Sequence, residues 1–368
     1  MPLPGELHLT EVLGGAIASL SPDLPGALPD IATRLGLDQG EQCLVILVDG
    51  LGLLPLEDHY GHAPTLRALR SSTFPAHTVA PSTTAAGITA FATGARPGAT
   101  RMVGYSVAYN GAQVASLLTF EHGVDPRSWQ EVPPLFERLA AEGVECAVIS
   151  PAAFANSGLT RAALSGARHV AAQEWTERCE AALKELRNGT RVVYLYWSEV
   201  DHAGHGHGIA SDEWVGALEE FDRGLAGLIR RLPATTRAVL TADHGMVDVN
   251  PDLHIDLAHH PFLAEGVRVI AGETRAVHVH AFSGQADNVR QRWEEELADR
   301  AWITSAAELS QMIGPGPGSA EMGDFVAWMK GRHGIVNSMT QHPGLRGLIG
   351  VHGSLTAEEM LIPVVRLH

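Results

Sequence analysis

The sequence predicts an α/β fold in which a mostly parallel, doubly wound sheet is flanked by helices. The first observation is that apolar runs of strand length alternate along the chain with amphipathic helical segments. This alternation is the pattern of strands joined by crossover helices. The second observation is that the strand segments are apolar without interruption. Such runs are typical of strands covered on both faces, as in a parallel sheet.

Four segments are predicted as strands of this sheet, at residues 43–48, 145–150, 191–197 and 237–241. The clearest helices are predicted at residues 134–142, 175–187 and 212–231. Ligands in doubly wound sheets gather at the carboxyl ends of the strands. We therefore expect Asp49, Asp201 and Asp243, which follow three of the strands, to lie at one edge of the sheet.

The chain from residue 251 to 343 departs from this alternation. It predicts a hairpin of residues 267–270 and 275–281, a helix near 287–297 and a Gly/Pro-rich stretch at 314–319. A short strand at residues 348–353 then carries His352 into a turn beside Gly353. We interpret residues 1–368 as a single catalytic domain in which residues 251–343 form a small inserted cap.

Composition limits the class of protein and of partner. The 368 residues are 45% hydrophobic, enough for a substantial core, and carry a formal net charge of −16. That charge argues against a nucleic-acid duplex or an anionic membrane surface as the main partner. The N-terminal segment lacks the features of a signal peptide, no run reaches about 20 apolar residues, and the three cysteines are widely spaced. These features predict a cytoplasmic protein, and no feature specifies an oligomeric state.

The stretch from residue 79 to 105 places hydroxyl groups where a helix should begin. Ser82, Thr83 and Thr84 precede a run of small residues that Gly94 ends. The free N–H groups and positive dipole at a helix N-terminus favour both an alkoxide and a phosphate group. Ser and Thr are also ordinary N-cap residues. The motif alone therefore does not distinguish a nucleophile from a cap.

Candidate metal ligands follow the predicted strands. Residues 198–208 read as a loop that three glycines allow to turn tightly, with Asp201 and His205 four residues apart. Carboxylate and imidazole together suit a zinc-type ion. His202 and His207 are competing ligands in the same segment, and a polar loop without metal is the alternative interpretation.

Four further residues could supply ligands. The adjacent Asp243 and His244 precede Gly245, and a turn with a capping Asp would explain them equally well. Asp49 and His352 each precede a glycine and are weak signals when taken alone.

Their combination is specific. An Asp, a helix-mouth hydroxyl, an Asp and a His four residues apart, an Asp-His pair and a late His follow one another in this order. This order, and the spacing from Thr84 to Thr93-Gly94, resembles the alkaline phosphatase superfamily over most of the chain. The segments PSTTA, ATGARPG, MVGYS, TADHGMV and VHGSLTAEEMLIP look most similar to its bacterial branch related to nucleotide pyrophosphatases and phosphodiesterases.

The resemblance implies a site with two divalent ions. One ion would be bound by Asp201, His205 and His352, and the other by Asp49, Asp243 and His244. Zinc is the expected metal for these ligands, and manganese is the alternative. Thr84 would lie between the ions and attack phosphorus, forming a phospho-threonine intermediate. Thr83 is the rival nucleophile.

The predicted function is metal-dependent hydrolysis of a small-molecule phosphoester, favouring phosphodiesters or nucleotide pyrophosphates. A phosphomonoesterase or phosphonate hydrolase is the alternative within the superfamily, and phosphotransfer to an alcohol is a further one. A catalytically silent metal-binding scaffold is the alternative from another class. The resemblance also implies an Asn three residues after the nucleophile to hold a phosphoryl oxygen. This chain has Gly87 there, so that contact must come from elsewhere or be absent. Tyr105 and Trp197 are expected either to line the substrate pocket or to pack in the core.

Overall fold

The computed structural model describes residues 6–121, 123–341 and 343–368. Its strands are β1 Leu7–His8, β2 Gln42–Val48, β3 Thr73–His77, β4 Ser106–Tyr109, β5 Gln113–Ser116, β6 Cys146–Ser150, β7 Arg168–Ala171, β8 Val192–Trp197, β9 Thr236–Thr241, β10 Val247–Asp248, β11 His254–Asp256, β12 Val267–Gly272, β13 Ala276–Ala281, β14 Ala301–Ser305, β15 Phe325–Met329, β16 Gly334–Val336, β17 Gly350–Val351 and β18 Leu361–Arg366. Its α-helices are α1 Leu9–Ala18, α2 Pro29–Leu35, α3 Leu53–Asp58, α4 Pro64–Ala68, α5 Thr84–Thr93, α6 Pro97–Thr100, α7 Pro126–Trp129, α8 Leu135–Ala141, α9 Gly158–Ala163, α10 Trp175–Arg187, α11 Glu199–His207, α12 Asp212–Ile229, α13 Pro261–Ala264, α14 Ala286–Leu297, α15 Ala306–Ile313, α16 Pro343–Arg346 and α17 Ala357–Met360. Short 3₁₀ turns occupy Arg70–Ser72, Ala152–Phe154, Pro251–Leu253, Leu257–His259 and Pro317–Met322.

The central sheet has eight strands in the order β1-β3-β18-β9-β2-β8-β6-β7. The five strands from β9 to β7 are mutually parallel, whereas β18 runs antiparallel to both of its neighbours. Two groups of helices pack around the sheet, one formed by α1, α5 and α8 and the other by α10, α11 and α12. The predicted mostly parallel α/β fold is confirmed.

The register of the central strands positions the site. In β2, Val48 pairs with Trp197 of β8, and Leu47 pairs with Thr241 of β9. The three strands therefore end side by side. Every residue of β2 and of β8 is buried, as expected for strands covered on both faces.

Four strands of the central sheet, β1, β3, β7 and β18, have no counterpart in the sequence prediction. The two longest of them are β3 and β18. Each contains a proline, and Pro363 of β18 lies opposite Pro75 of β3. Because proline cannot donate a backbone hydrogen bond, it argues against a strand assignment when only the sequence is read. Here the two prolines face one another.

Residues 267–329 form a second sheet, with four antiparallel strands in the order β12-β13-β15-β14. It contains the predicted hairpin, as β12 and β13, and α14 packs on it with Trp293 fully buried. A separate apolar cluster joins Ala85 of α5 to Met322 and Val326. This cluster packs the second sheet against the helix that begins at Thr84.

None of the described helices is both long enough and apolar enough to span a bilayer. The three cysteines are all buried, and none of them is in a disulfide. Burial raises the pKa of the Cys146 thiol to about 12, so this thiol behaves as part of the core.

A buried ion pair ties the second sheet to the central one. The guanidinium of Arg275, just before β13, binds Glu359 of α17 through two contacts of 2.7 and 3.2 Å. Both side chains are fully buried. The Glu359 carboxylate also accepts hydrogen bonds from the backbone N–H of Ser354 and the hydroxyl of Thr356. The pair thereby orders the segment that leads from His352 into β18.

We expect Glu359→Gln to destabilise the fold strongly, because Arg275 would keep a buried charge without its counter-ion. Breaking such a pair costs about 3–5 kcal/mol, which corresponds to a fall in melting temperature of roughly 5 °C for a chain of this length. Thermal unfolding followed by circular dichroism measures it. Glu294→Gln, which breaks an exposed pair with Arg290, is the matched control and should cost about 1 kcal/mol or less. Equal shifts in both variants would contradict this prediction.

Candidate active site

Seven of the side chains singled out from the sequence meet at the carboxyl edge of the parallel strands. Asp49 follows β2, Asp243 and His244 follow β9, and His352 follows β17. Thr84 is the first residue of α5, and α11 carries Asp201 and His205. The side chains of Asp49, Asp243 and His244 are buried almost completely.

The segment predicted as a glycine-rich loop at residues 198–208 is instead the helix α11. Asp201 and His205 lie four residues apart on one helical face, with Nε2 of His205 3.2 Å from Oδ2 of Asp201. A side chain at Gly204 would collide with Met246. This glycine therefore allows close packing of the helix and does not form a turn.

The two competing histidines of this segment lie near carboxylates other than those of the candidate ligands. The side chains of His202 and His207 are more than half exposed, and their nearest carboxylates are those of Glu199 and Glu213, at 3.7 Å. Among the described residues, neither histidine belongs to a group of ligand atoms that could share an ion.

The six remaining candidates form two groups, in each of which the ligand atoms lie within 4.8 Å of one another. One group is Asp201, His205 and His352, and the other is Asp49, Asp243 and His244. These are the two sets that the family resemblance implies. The imidazole rings of His244 and His352 stack at 3.7 Å between their centroids, so the groups adjoin.

Each of the three histidines is oriented by a backbone carbonyl. Nδ1 of His205, His244 and His352 lies 2.7, 3.0 and 2.9 Å from the carbonyl oxygens of Gly350, Gly245 and Ser82, respectively. An Nδ1–H that donates to a carbonyl leaves the Nε2 lone pair free. Metal-binding histidines in proteins are held in this way.

The carboxylates complete the fit to a cation. Oδ1 of Asp49, Oδ1 of Asp201 and Oδ2 of Asp243 are buried and accept no hydrogen bond from the described residues. The second oxygen of Asp49 accepts from the Tyr196 hydroxyl. Buried carboxylate oxygens without a donor are costly. A divalent ion would satisfy all three, so the donor set fits such an ion.

The pKa shifts of the candidate ligands also favour a bound cation. Burial, and then the neighbouring Asp49 carboxylate, raise the pKa of Asp243 well above its ordinary value. Burial opposes protonation of His244, but Asp243 and Asp49 outweigh it and raise the pKa of His244 to about 10. The cluster of negative charge thus favours a positive charge at its centre.

Thr84 lies at the second group. Its Oγ1 is 3.1 Å from Nε2 of His244, and it lines the adjoining cavity. Thr83 is the N-cap residue of α5, but its side chain makes no capping hydrogen bond. The Thr83 hydroxyl instead lies near the carboxyl group of Glu273, whose pKa it helps to lower. The helix mouth is therefore not an ordinary Ser/Thr cap.

Gly87 has a packing role. A Cβ at this position would lie 2.8 Å from the carbonyl oxygen and 2.9 Å from the Cβ of Asp243. Only glycine lets α5 approach the Asp243 backbone so closely. A side chain at this point would push a candidate ligand away from its partners.

A cavity of about 780 Å3 opens beside Thr84 and both ligand groups. Tyr105 lines it, in agreement with one of its two predicted roles. Trp197 does not. It is buried against Trp175, with ring centroids 5.2 Å apart, and under the guanidinium of Arg178. Trp197 is thus a core residue.

Sequence reasoning missed two groups of this site. Tyr196 lies within an apolar strand, where its hydroxyl gives no separate signal, and it bonds Asp49. Glu273 lies in the β12–β13 turn, where an acidic residue is normally solvated. Its Oε1 accepts the N–H of Tyr105 at 2.5 Å, while Oε2 is buried without a donor.

We expect Glu273 to make stability depend on pH. Burial raises the pKa of Glu273 from 4.5 to about 8. The stabilisation from its protonated form is thus complete below about pH 4.5 and is lost as the pH rises towards 8. The glutamine of Glu273→Gln does not titrate. Between pH 4.5 and 8, the melting temperature of this variant should therefore rise relative to that of the unsubstituted protein by on the order of 5 °C.

Thermal unfolding in EDTA at several pH values measures this difference. Glu295→Gln, whose carboxylate is bonded only to Gln291 on the surface of α14, is the matched control and should show a constant difference. Parallel curves for Glu273→Gln and the unsubstituted protein would contradict the assignment.

Comparison with known proteins finds a matching family profile and several similar solved structures. The sequence profile described as type I phosphodiesterase / nucleotide pyrophosphatase matches residues 43–314. Phosphonoacetate hydrolase from Sinorhizobium meliloti 1021, in complex with phosphonoformate, superposes with a TM-score of 0.70 at 17% identity, over 89% of this chain and 90% of that one.

Murine ectonucleotide pyrophosphatase/phosphodiesterase 5, as an inactive variant in complex with AMP, gives a TM-score of 0.68 at 17% identity, over 88% of this chain and 87% of that one. The human protein gives 0.68 at 15% identity, over 88% and 87% of the two chains. At these identities the likeness establishes a shared fold.

Proposed function

The chain belongs to the type I phosphodiesterase / nucleotide pyrophosphatase family, within the alkaline phosphatase superfamily, and from this we propose that it cleaves phosphodiesters or nucleotide pyrophosphates through a phospho-threonine at Thr84. Membership makes the protein a phosphoric ester hydrolase of a metal-dependent family. The substrate, the nucleophile and the metal sites are the proposed parts.

One observation carries the proposal. The hydroxyl of Thr84 lies 3.1 Å from Nε2 of His244, and the stacked rings of His244 and His352 join its ligand group to the other. A hydroxyl nucleophile beside two adjoining ion-binding groups suits in-line displacement at phosphorus. An N-terminal cap or a silent scaffold would not require it.

We propose that Asp201, His205 and His352 hold one divalent ion and that the remaining three ligands hold the other. Zinc suits these nitrogen and oxygen donors, and manganese is the alternative. When bound, such ions supply Lewis-acid stabilisation to the attacking and leaving oxygens. The buried, donor-free oxygens of Asp49, Asp201 and Asp243 support this assignment.

The residues of the chain would perform the following steps. Oγ1 of Thr84 loses its proton to solvent and forms a bond to phosphorus, while the ester bond breaks and the leaving group departs as an alcohol or a phosphate. Water then attacks the phospho-threonine, which releases the phosphate monoester and restores the hydroxyl. The N–H groups of the first turn of α5, which no N-cap side chain occupies, favour the negative phosphoryl oxygens.

The domain organisation is part of the proposal. We propose one catalytic domain in which residues 251–343 form a cap. The cavity supports it, since Ile270 and Glu273, from β12 and the turn after it, line the same space as Thr84. Leaving-group specificity would then depend on this segment.

A substrate comparison tests the proposal. We expect kcat/KM for p-nitrophenyl thymidine 5′-monophosphate to exceed that for p-nitrophenyl phosphate by at least about tenfold. EDTA should abolish the activity, zinc or manganese should restore it, and elemental analysis should find two ions per chain. A preference for the monoester would instead favour a phosphomonoesterase, and activity only on phosphonoacetate would favour a phosphonate hydrolase.

A further inference from the structure

We infer that the cavity beside Thr84 selects phosphodiesters whose ester groups are uncharged and largely apolar, and discriminates against substrates that carry a second anionic group. This inference rests on the proposed function and narrows it. Within the proposed range it favours simple diesters over nucleoside di- and triphosphates.

The first observation is the composition of the cavity wall. None of the described residues that line it is a lysine or an arginine. The wall is instead built from apolar side chains and hydroxyl groups. The apolar members include Ile88, Leu118, Phe154, Leu159, Ile270 and Leu348. Such a wall favours an aromatic or aliphatic group that also offers a few neutral polar atoms.

Two of the arginines near the cavity are bound to carboxylates, and a third lies outside the cavity wall. Arg101 pairs with Glu321 at 2.6 Å and stacks on Trp129. Arg275, two residues after the lining Glu273, is held by Glu359. Arg346 lies in the same segment as the lining Leu345 and Leu348, and its buried Nε has no hydrogen-bond partner among the described residues, but Arg346 does not line the cavity itself. A distal phosphate would therefore meet no guanidinium in the described wall of the cavity, although such groups usually require one.

The other ionisable side chains of the wall do not replace the missing cation. His202 is the lining histidine outside the two ligand groups, and its Nδ1 is 3.7 Å from the carboxylate of Glu199. Glu121 and Glu273 also line the cavity. Neither acid carries positive charge in either protonation state, so both leave an additional anion uncompensated.

The charge of the proposed metal centre fits one negative charge on the substrate. Two divalent ions would bring four positive charges against the three carboxylates of Asp49, Asp201 and Asp243. The remaining single positive charge matches the monoanion of a diester. A second substrate anion would be desolvated without a counter-charge, which is unfavourable.

The test compares substrates that share a nucleoside and differ in charge. We expect kcat/KM for p-nitrophenyl thymidine 5′-monophosphate to exceed that for thymidine 5′-triphosphate by at least about 100-fold. Comparable values for the two would overturn the inference and leave the proposed phosphodiesterase intact. Hydrolysis of neither substrate, with metal bound, would instead overturn the proposed function.

Two further tests measure binding affinity and the effect of adding a positive charge to the cavity wall. In Thr84→Ala, calorimetric titration should detect bis(p-nitrophenyl) phosphate with at least about tenfold higher affinity than thymidine 5′-diphosphate. Leu118→Arg places a cation in the wall and should raise the relative kcat/KM for the triphosphate by at least about tenfold. Leu118→Gln is the uncharged control. Equal ratios in the two Leu118 variants would show that charge does not set the preference and would overturn the inference.

Discussion

Replacing Thr84 by alanine is expected to lower kcat for phosphodiester hydrolysis by on the order of 10⁴- to 10⁶-fold, because the variant has no oxygen to form the bond to phosphorus. Metal content should stay unchanged, since Thr84 lies outside both ligand groups. Steady-state assays with p-nitrophenyl thymidine 5′-monophosphate measure the loss. Rapid quenching of the unsubstituted protein with a ³²P-labelled substrate should leave label on residue 84.

Two variants on the same helix make this prediction specific. Thr83→Ala removes the neighbouring hydroxyl, which lies near Glu273, and should retain most of the activity. Thr89→Ala removes a buried hydroxyl bonded to the Ala85 carbonyl and controls for the loss of a threonine from α5. If Thr83→Ala lost activity while Thr84→Ala kept it, the rival nucleophile would be the correct one.

Asp243→Asn should lower activity without lowering the stability of the metal-free protein. The side-chain amide oxygen can still accept the N–H groups of Gly50 and His244, as Oδ1 of Asp243 does, but the negative charge is lost. We expect metal content to fall from two ions to one per chain. Loss of several kcal/mol of charge stabilisation then lowers kcat/KM by on the order of 10³-fold.

The same variant should be at least as stable as the unsubstituted protein in EDTA. Without metal, the buried carboxylates of Asp49 and Asp243 repel each other, and the substitution removes one of them. Elemental analysis and thermal unfolding test the two halves of the prediction. Asp256→Asn, which removes a carboxylate bonded to Ser338 and His259, should change neither metal content nor kcat/KM. A fully loaded, active Asp243→Asn would exclude Asp243 as a ligand.

Where the local sequence pattern agrees with the final structure, the fold could be predicted. The apolar runs of β2, β6, β8 and β9 are buried on both faces, so their composition identifies them. The strand β18 was not predicted, because Pro363 interrupts its apolar sequence. The glycines of residues 198–208 predicted a loop, because glycine has a low helix propensity. The helix α11 forms there nevertheless, since the close packing of Gly204 against Met246 outweighs that propensity.

The candidate site was predictable to the extent that its residues follow strand ends in a recognisable order. The pairing of Asp49 with the Asp243–His244 turn follows from the register of β2 and β9, which the parallel-sheet prediction already implies. The position of Glu273 does not follow, because it depends on how the second sheet packs on α5. Neither the spacing nor the composition of residues 267–281 contains that information.

The backbone of Ser82 connects two distant parts of the chain, since its carbonyl oxygen orients His352 and its hydroxyl bonds to Ser354. During synthesis the chain emerges from its N-terminus, so Thr84 and α5 leave the ribosome about 270 residues before this partner exists. The group of Asp201, His205 and His352 therefore closes only after residue 352 has been made. Hydrolytic competence should appear no earlier than that point, and chains arrested before residue 352 should be inert towards phosphoesters.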